Sequence, residues 1–274
     1  MTLTTTTFAV DGPNGPVPSL LITPDAPAAL VALGHGGGGS KDQPRMVALA
    51  ERYATALGAA VLAIDGPVHG ERVPAIEDRE ERFRTVRRTL SDPSTPARMA
   101  QDWRVALGHA RAVAGVGDAP AGYVGFSMGT LLGVPTVAAI AEIRAAVFGL
   151  GGLVRRGGVP DVARAAGMNE RVAAIIAEED DPEARNQAVR DAAVQLAGRE
   201  VLMLNMTRDE GFPIDGALEL FALFPGPKRM AIWEGGHLEL PGEAIDLSIR
   251  FFAHHLLGAG EESHPARERR ERTT

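Results

Sequence analysis

The chain has 274 residues, with 28 Lys+Arg against 35 Asp+Glu and a formal net charge of −7. It holds no cysteine, which excludes disulfides, thiolate metal sites, iron–sulfur clusters and a cysteine nucleophile. The acidic balance argues against nucleic acid, whose phosphates need clustered Lys/Arg, and no stretch approaches 18 apolar residues without charge or frequent glycine, so no membrane span is expected.

The start, MTLTTTTFAV, lacks the positive n-region and apolar h-region of a secretory signal, and a soluble, cytoplasmic protein is expected. Thr4–Val10 and Val17–Ile22 read as strands joined by the turn-rich Asp11–Pro18. Leu30–Gly34 is a short apolar run that ends in His35-Gly36-Gly37-Gly38-Gly39. Met46, Leu49, Tyr53 and Leu57 then recur at helical spacing, with Pro44 near the start and Gly58 at the stop. Ala60–Ile64 is again a compact apolar run. Strand, helix, strand in this order is the βαβ signature of a largely parallel sheet.

From Gly70 to about Ala100 charges and prolines dominate, with a short polar helix expected over Glu77–Leu90 and a loop over Ser91–Pro96. Within it, Arg79–Arg88 alternates with Glu77, Asp78, Glu80 and Glu81 and reads as a solvated face. Trp103, Ala106, Leu107, Ala110 and Val113 mark a second long helix, and Gly122–Phe126 a strand. A small-residue segment follows Ser127, passes Pro135 and reaches the strand Ala145–Gly149. Gly151–Gly198 shows helix-like pieces at Asp161–Ala166, Glu170–Glu179 and around Pro182–Leu196. Val201–Met206 and Arg229–Trp233 are the last strands, separated by a helix around Gly216–Leu223, and Ile245, Ile249, Phe252 and Leu256 stripe the final helix. About eight strands and five or six helices fit one domain over 1–257, with cover segments near 71–100 and 151–198. The remainder, 258–274, has little to bury and reads as a disordered tail.

Gly125-Phe126-Ser127-Met128-Gly129 is the sharpest signal. It follows a strand and precedes a helix, which is the context a strained nucleophile turn requires. Glycines two before and two after the serine let strand and helix approach without a Cβ collision. The helix N-terminus offers positive potential and free N–H groups to developing negative charge. An ordinary serine N-cap is the competing reading; the partners downstream weigh against it. The glycines after His35 allow backbone N–H groups to line an anion. Ser40-Lys41-Asp42 does not complete a phosphate loop and no dinucleotide fingerprint follows, so an oxyanion loop is favoured over a plain flexible one.

A serine nucleophile needs a neutral imidazole, and the imidazole needs an acid. Of seven histidines, His109, His254 and His255 lie within helices and His264 in the tail, while His35 and His69 sit in tight loops where a ring pins backbone. His237 follows a strand through Glu234-Gly235-Gly236, in a turn expected to be mobile, and is the base. Asp209 lies nearest the end of the preceding strand and is the favoured acid, with Glu210 and Asp215 as alternatives. The order Ser127, Asp209, His237 matches the hydrolase lineage rather than either protease order.

Together with Gly34-His35-Gly36-Gly37 and Asp65-Gly66-Pro67-Val68-His69-Gly70, these motifs resemble the α/β-hydrolase superfamily, and within it the dienelactone-hydrolase-like and acyl-peptidase-like serine esterases, over most of 17–257. The resemblance implies an eight-stranded, mostly parallel sheet with helices on both faces. It implies a triad of Ser127, Asp209 and His237, and an oxyanion hole from the N–H groups of Gly37 and Met128. His35, Gly36, Asp65 and His69 would support the site, without metal or cofactor. Many dienelactone hydrolases use cysteine, which this chain lacks; that undermines dienelactone itself as substrate and leaves ester hydrolysis intact. The expected reaction is cleavage of a small acyl ester by a monomer or homodimer. Thioester or amide cleavage on the same triad and a nonenzymatic scaffold are the alternatives. Phe126 and Met128 either border the acyl pocket or face the core. Arg155, Arg156, Arg72, Lys41 and Arg45 are weak candidates for an anionic substrate.

Overall fold

The computed structural model describes residues 2–260; the expected tail lies outside them beyond residue 260, as does His264. Eight strands form one sheet in the order β1-β2-β4-β3-β5-β6-β7-β8. They are β1 (Leu3–Gly12), β2 (Gly15–Pro24), β3 (Leu30–Gly34), β4 (Ala60–Ile64), β5 (Ala121–Phe126), β6 (Ile143–Gly149), β7 (Glu200–Met206) and β8 (Lys228–Trp233). The first two form an antiparallel hairpin, β2 pairs antiparallel with β4, and β3 through β8 run parallel. The hairpin keeps its ladder to Gly12 and Gly15, so the turn is tighter than the Asp11–Pro18 expected. β3 and β4 are buried at every position, as strands covered on both faces must be.

Nine α-helices surround the sheet among the described residues: α1 (Pro44–Leu57), α2 (Arg79–Ser91), α3 (Thr95–Ala114), α4 (Met128–Ala139), α5 (Gly158–Ala165), α6 (Glu170–Glu178), α7 (Pro182–Ala193), α8 (Ile214–Leu223) and α9 (Gly242–Leu257). One face is packed by α3, α4, α7 and α8 through Trp103, Leu131, Val189 and Leu220, the other by α1 and α9 through Tyr53, Phe251 and Phe252. No described helix is long and apolar enough to cross a membrane.

Two sequence expectations need correction. Five or six helices undercounts the described nine: α4 is buried nearly all round and so shows no stripe, and the three helix-like pieces of 151–198 are three separate helices, α5–α7. The loop over Ser91–Pro96 is shorter than expected: Thr95 and Pro96 already belong to α3, with the proline in the first turn where its missing N–H costs nothing.

α2 differs in kind. Its arginines are not simply solvated: Arg87 is buried and pairs with Asp180 at 2.8 Å. Arg84 reaches Glu178 at 2.6 Å, and Arg171 of α6 reaches Glu80 at 2.5 Å. The partners come from 91–94 residues along the chain, so α2 and the 151–198 excursion join into one cap.

Candidate active site

The strand order reverses around β3, which lies between β4 and β5, so the loops after β3 and β5 emerge side by side at the carboxyl edge, where α/β sheets place their sites. Gly34 and Gly125 are register partners there. The next turn holds Ser127, half-buried, at φ 56° and ψ −115°, a region side-chain-bearing residues rarely adopt. Packing enforces it. A Cβ at Gly125 would lie 2.3 Å from the Gly129 carbonyl oxygen, and one at Gly129 would lie 2.5 Å from that of Gly34. Below the turn, the Tyr123 hydroxyl donates to the Gly129 carbonyl at 2.6 Å, and the Ser127 N–H donates to Gly149 at 2.9 Å.

His237 Nε2 lies 2.9 Å from Ser127 Oγ, and its Nδ1 lies 2.8 Å from Asp209 Oδ2. The carboxylate only accepts, so the proton sits on Nδ1 and Nε2 is left to accept from the serine hydroxyl. Asp209 is buried and its other oxygen accepts the N–H groups of Gly211 (2.9 Å) and Phe212 (2.8 Å). The two alternative acids are occupied elsewhere. Asp215 accepts the N–H of Gly216, and Glu210 accepts the backbone N–H of His237 at 3.0 Å. His237 is only 4% exposed, which corrects the picture of a mobile turn: ring and backbone are both hydrogen-bonded, and Phe212 stacks on the imidazole with centroids 5.6 Å apart.

The glycine loop after β3 is held by two histidine rings. His35 Nε2 accepts the Gly66 N–H at 2.8 Å while Nδ1 donates to the Gly36 carbonyl at 2.8 Å. His69 Nε2 accepts the Gly38 N–H at 3.1 Å while Nδ1 donates to Pro67 at 2.8 Å. Each ring accepts one backbone bond and donates another, which only the neutral form does. Burial lowers the pKa of both, that of His69 to about 4.

Asp65, fully buried, accepts the N–H groups of Lys41 (2.9 Å) and Glu71 (3.0 Å). The Lys41 ammonium bonds Asp65 at 3.1 Å and Glu71 at 2.5 Å. Gly36 passes next to the nucleophile, since a Cβ there would stand 3.7 Å from that of Ser127. Among the described residues, no acceptor meets the N–H of Gly37 or of Met128.

Several residues thus have assignments that differ from the weak substrate roles. Lys41 is consumed by Asp65 and Glu71, Arg72 by Asp102 at 2.8 Å, and Arg155 by Asp161 and the Glu210 carbonyl. Met128 and Phe126 both pack into the apolar clusters. Phe212, three residues beyond Asp209, carries no local mark in the sequence of its contact with the His237 ring, which only the fold creates. Among the described residues, no cluster of three or more His, Asp or Glu is arranged to hold a metal ion.

Strand order, strained serine turn and hydrogen-bonded Ser–His–Asp row together define an α/β-hydrolase fold. Solved structures agree. A cold-adapted esterase from an Arctic intertidal metagenomic library, in complex with PEG, superposes with a TM-score of 0.72 at 24% identity, covering 93% of this chain and 95% of that one. An esterase from Pyrococcus furiosus gives 0.69 at 14% identity over 93% and 94%. The dienelactone hydrolase from Anabaena variabilis gives 0.63 at 20% identity over 93% and 100%. At these identities the likeness is one of fold. No protein-family model and no curated protein sequence matches the chain.

Proposed function

We propose that the chain is a serine hydrolase that cleaves small carboxylic esters through an acyl-enzyme. The unbroken row Ser127 Oγ–His237–Asp209, at 2.9 and 2.8 Å, carries this reading. Ser127 attacks the acyl carbonyl while His237 Nε2 takes its proton. Negative charge on the former carbonyl oxygen is met by the N–H groups of Met128 and Gly37, and each such donor is worth about 2.7–4 kcal/mol in the transition state. His237 protonates the leaving alkoxide, then draws a proton from water to hydrolyse the acyl-enzyme. Asp209 holds the ring in one tautomer and stabilises its charged form without accepting the proton. The fully occupied Asp209 and the stacked Phe212 supply an imidazole already oriented before substrate arrives.

Fluorophosphonate labelling followed by mass spectrometry, with p-nitrophenyl acetate and octanoate hydrolysis alongside, tests it. The label is expected on Ser127, and Ser127→Ala is expected to lower kcat by about 10⁴- to 10⁶-fold. An unlabelled wild type that turns over no ester, thioester or amide overturns the reading in favour of a binding scaffold.

A further inference from the structure

His237 stands on a short irregular segment whose own hydrogen bonds run between Gly236 and Glu239. Residues 234–241 form neither helix nor strand, and Gly235 and Gly236 precede the histidine, Gly235 at φ 149°. Glycine has more backbone freedom to lose on folding than any other residue. Two successive N–H groups in the segment are nevertheless taken by carboxylates. The Gly236 N–H donates to Glu239 Oε2 at 2.5 Å, and the His237 N–H donates to Glu210 Oε2 at 3.0 Å. Glu239 belongs to the turn and travels with it. Glu210 does not: it lies 27 residues earlier in the chain, directly after β7 and Asp209.

The loop after β7 therefore grips the turn of the base at three points, the first through the Arg208 N–H, which donates to the Gly235 carbonyl at 2.8 Å. Asp209 holds the ring through Nδ1, and the neighbouring residue holds the backbone that carries the ring. Glu210 is itself anchored, since its carbonyl accepts from Arg155 Nε at 3.1 Å while the next residue, Gly211, donates to Asp209. Asp209 and Phe212 fix the ring and Arg208 holds the backbone two residues earlier, but the bond to Glu210 is the one made by the His237 N–H itself, and a shift of about an ångström there takes Nε2 out of reach of Ser127.

We infer that Glu210 is a positioning residue, whose carboxylate sets the His237 backbone against Asp209 so that the imidazole meets Ser127. This rests on the serine-hydrolase reading of the site. The role asks only for an acceptor at that place, which a glutamine side chain also provides. A misplacement of about 1 Å costs up to about 100-fold in rate while leaving ester binding largely intact.

Three variants, Glu210→Ala, Glu210→Met and Glu210→Gln, are compared with wild type by ester hydrolysis, by the rate of fluorophosphonate labelling at Ser127, and by thermal melting. The alanine and methionine variants are expected to lose about 10- to 100-fold in kcat with KM within about twofold, and labelling is expected to slow in parallel. Glutamine is expected to stay within about threefold of wild type. Methionine keeps the volume without the acceptor, so the comparison survives if the alanine variant does not fold. Equal kcat in methionine and wild type, or glutamine failing as badly as methionine, overturns the positioning role. A wild type that takes no label overturns the hydrolase reading instead, so the two failures are distinct.

Discussion

The carboxyl end of the sheet and the cap are built from different forces. Around Ser127 the contacts are backbone against backbone and buried apolar surface, with β3 and β4 wholly buried and Tyr123 and Trp103 packed edge-on beneath the serine turn. Across the cap, α2 meets α5 and α6 through a small cluster of Phe83, Val159, Ala163, Val172 and Ile176 and through a seam of ion pairs. Most seam residues are substantially exposed: Glu178 at 50%, Arg88 at 54% and Arg171 at 58% of their side chains. Exposed pairs contribute roughly 0–1 kcal/mol each and are screened by salt, whereas close packing is not. Geometry at the nucleophile is thereby insulated from ionic strength, which the cap feels directly.

One knot in the cap departs from that rule. Asp180 is buried between Arg87 at 2.8 Å and Arg185 at 2.5 Å. Burial, reinforced by the Arg185 charge and opposed by Asp180, brings the Arg87 pKa down to about 10. Among the described residues, Arg87 Nε, Arg185 Nε and Asp180 Oδ2 have no hydrogen-bond partner. Removing either arginine leaves Asp180 less compensated, which is where buried charge becomes expensive.

The largest effect expected at the sheet end comes from acid. His69 keeps a pKa of about 4 in the fold against 6.5 in the unfolded chain. Between those values the unfolded chain binds the extra proton, so the contribution is complete above about pH 6.5 and is lost as pH falls toward 4. It amounts to about 3 kcal/mol. Urea denaturation of wild type and His69→Gln between pH 7 and pH 4 isolates it: the wild type should lose stability the more steeply, and parallel curves would refute the assignment.

Next comes Gly125→Ala, whose Cβ meets backbone atoms of Gly129 at 2.3 and 2.6 Å. Backbone cannot rotate aside as a side chain can. About 1–3 kcal/mol of stability should go, together with labelling of Ser127, and an unchanged melt with unchanged labelling would show that the turn relaxes. Smallest is the seam. Arg84→Ala is expected to cost less than about 1 kcal/mol, and 1 M NaCl should erase the difference from wild type in denaturation midpoint. A deficit that persists in salt would mean that Arg84 acts through packing.

How much of this was legible beforehand depended on where each partner lay. Ala60–Ile64 was readable to the residue, and the helix from Pro44 to Leu57 closely, because their signals are local: an apolar run, a proline near the start, a left-handed Gly58 at the end. Ser127 was legible through its flanking glycines. Asp209 stood out from Glu210 and Asp215 only by nearness to the strand end, and the carboxylates separate fully only in space. One takes the ring, one the backbone, and one accepts the N–H of the next residue in its own helix. The α2 arginines misled because charge alternating along ten residues looks satisfied locally, while their partners are more than ninety residues distant.

The sequence by itself determined the strand and helix order, the strained serine turn and the residue types able to move a proton, because periodicity, glycine placement and chain order are properties of neighbours. Tertiary structure alone decided which acid faces His237, that His35 and His69 serve as neutral clamps, and that the polar α2 is one wall of a cap. Those outcomes depend on burial and on directional hydrogen bonds between segments distant in the chain. A hydrogen bond at 2.8 Å requires both ends to arrive, and only the folded sheet brings them there.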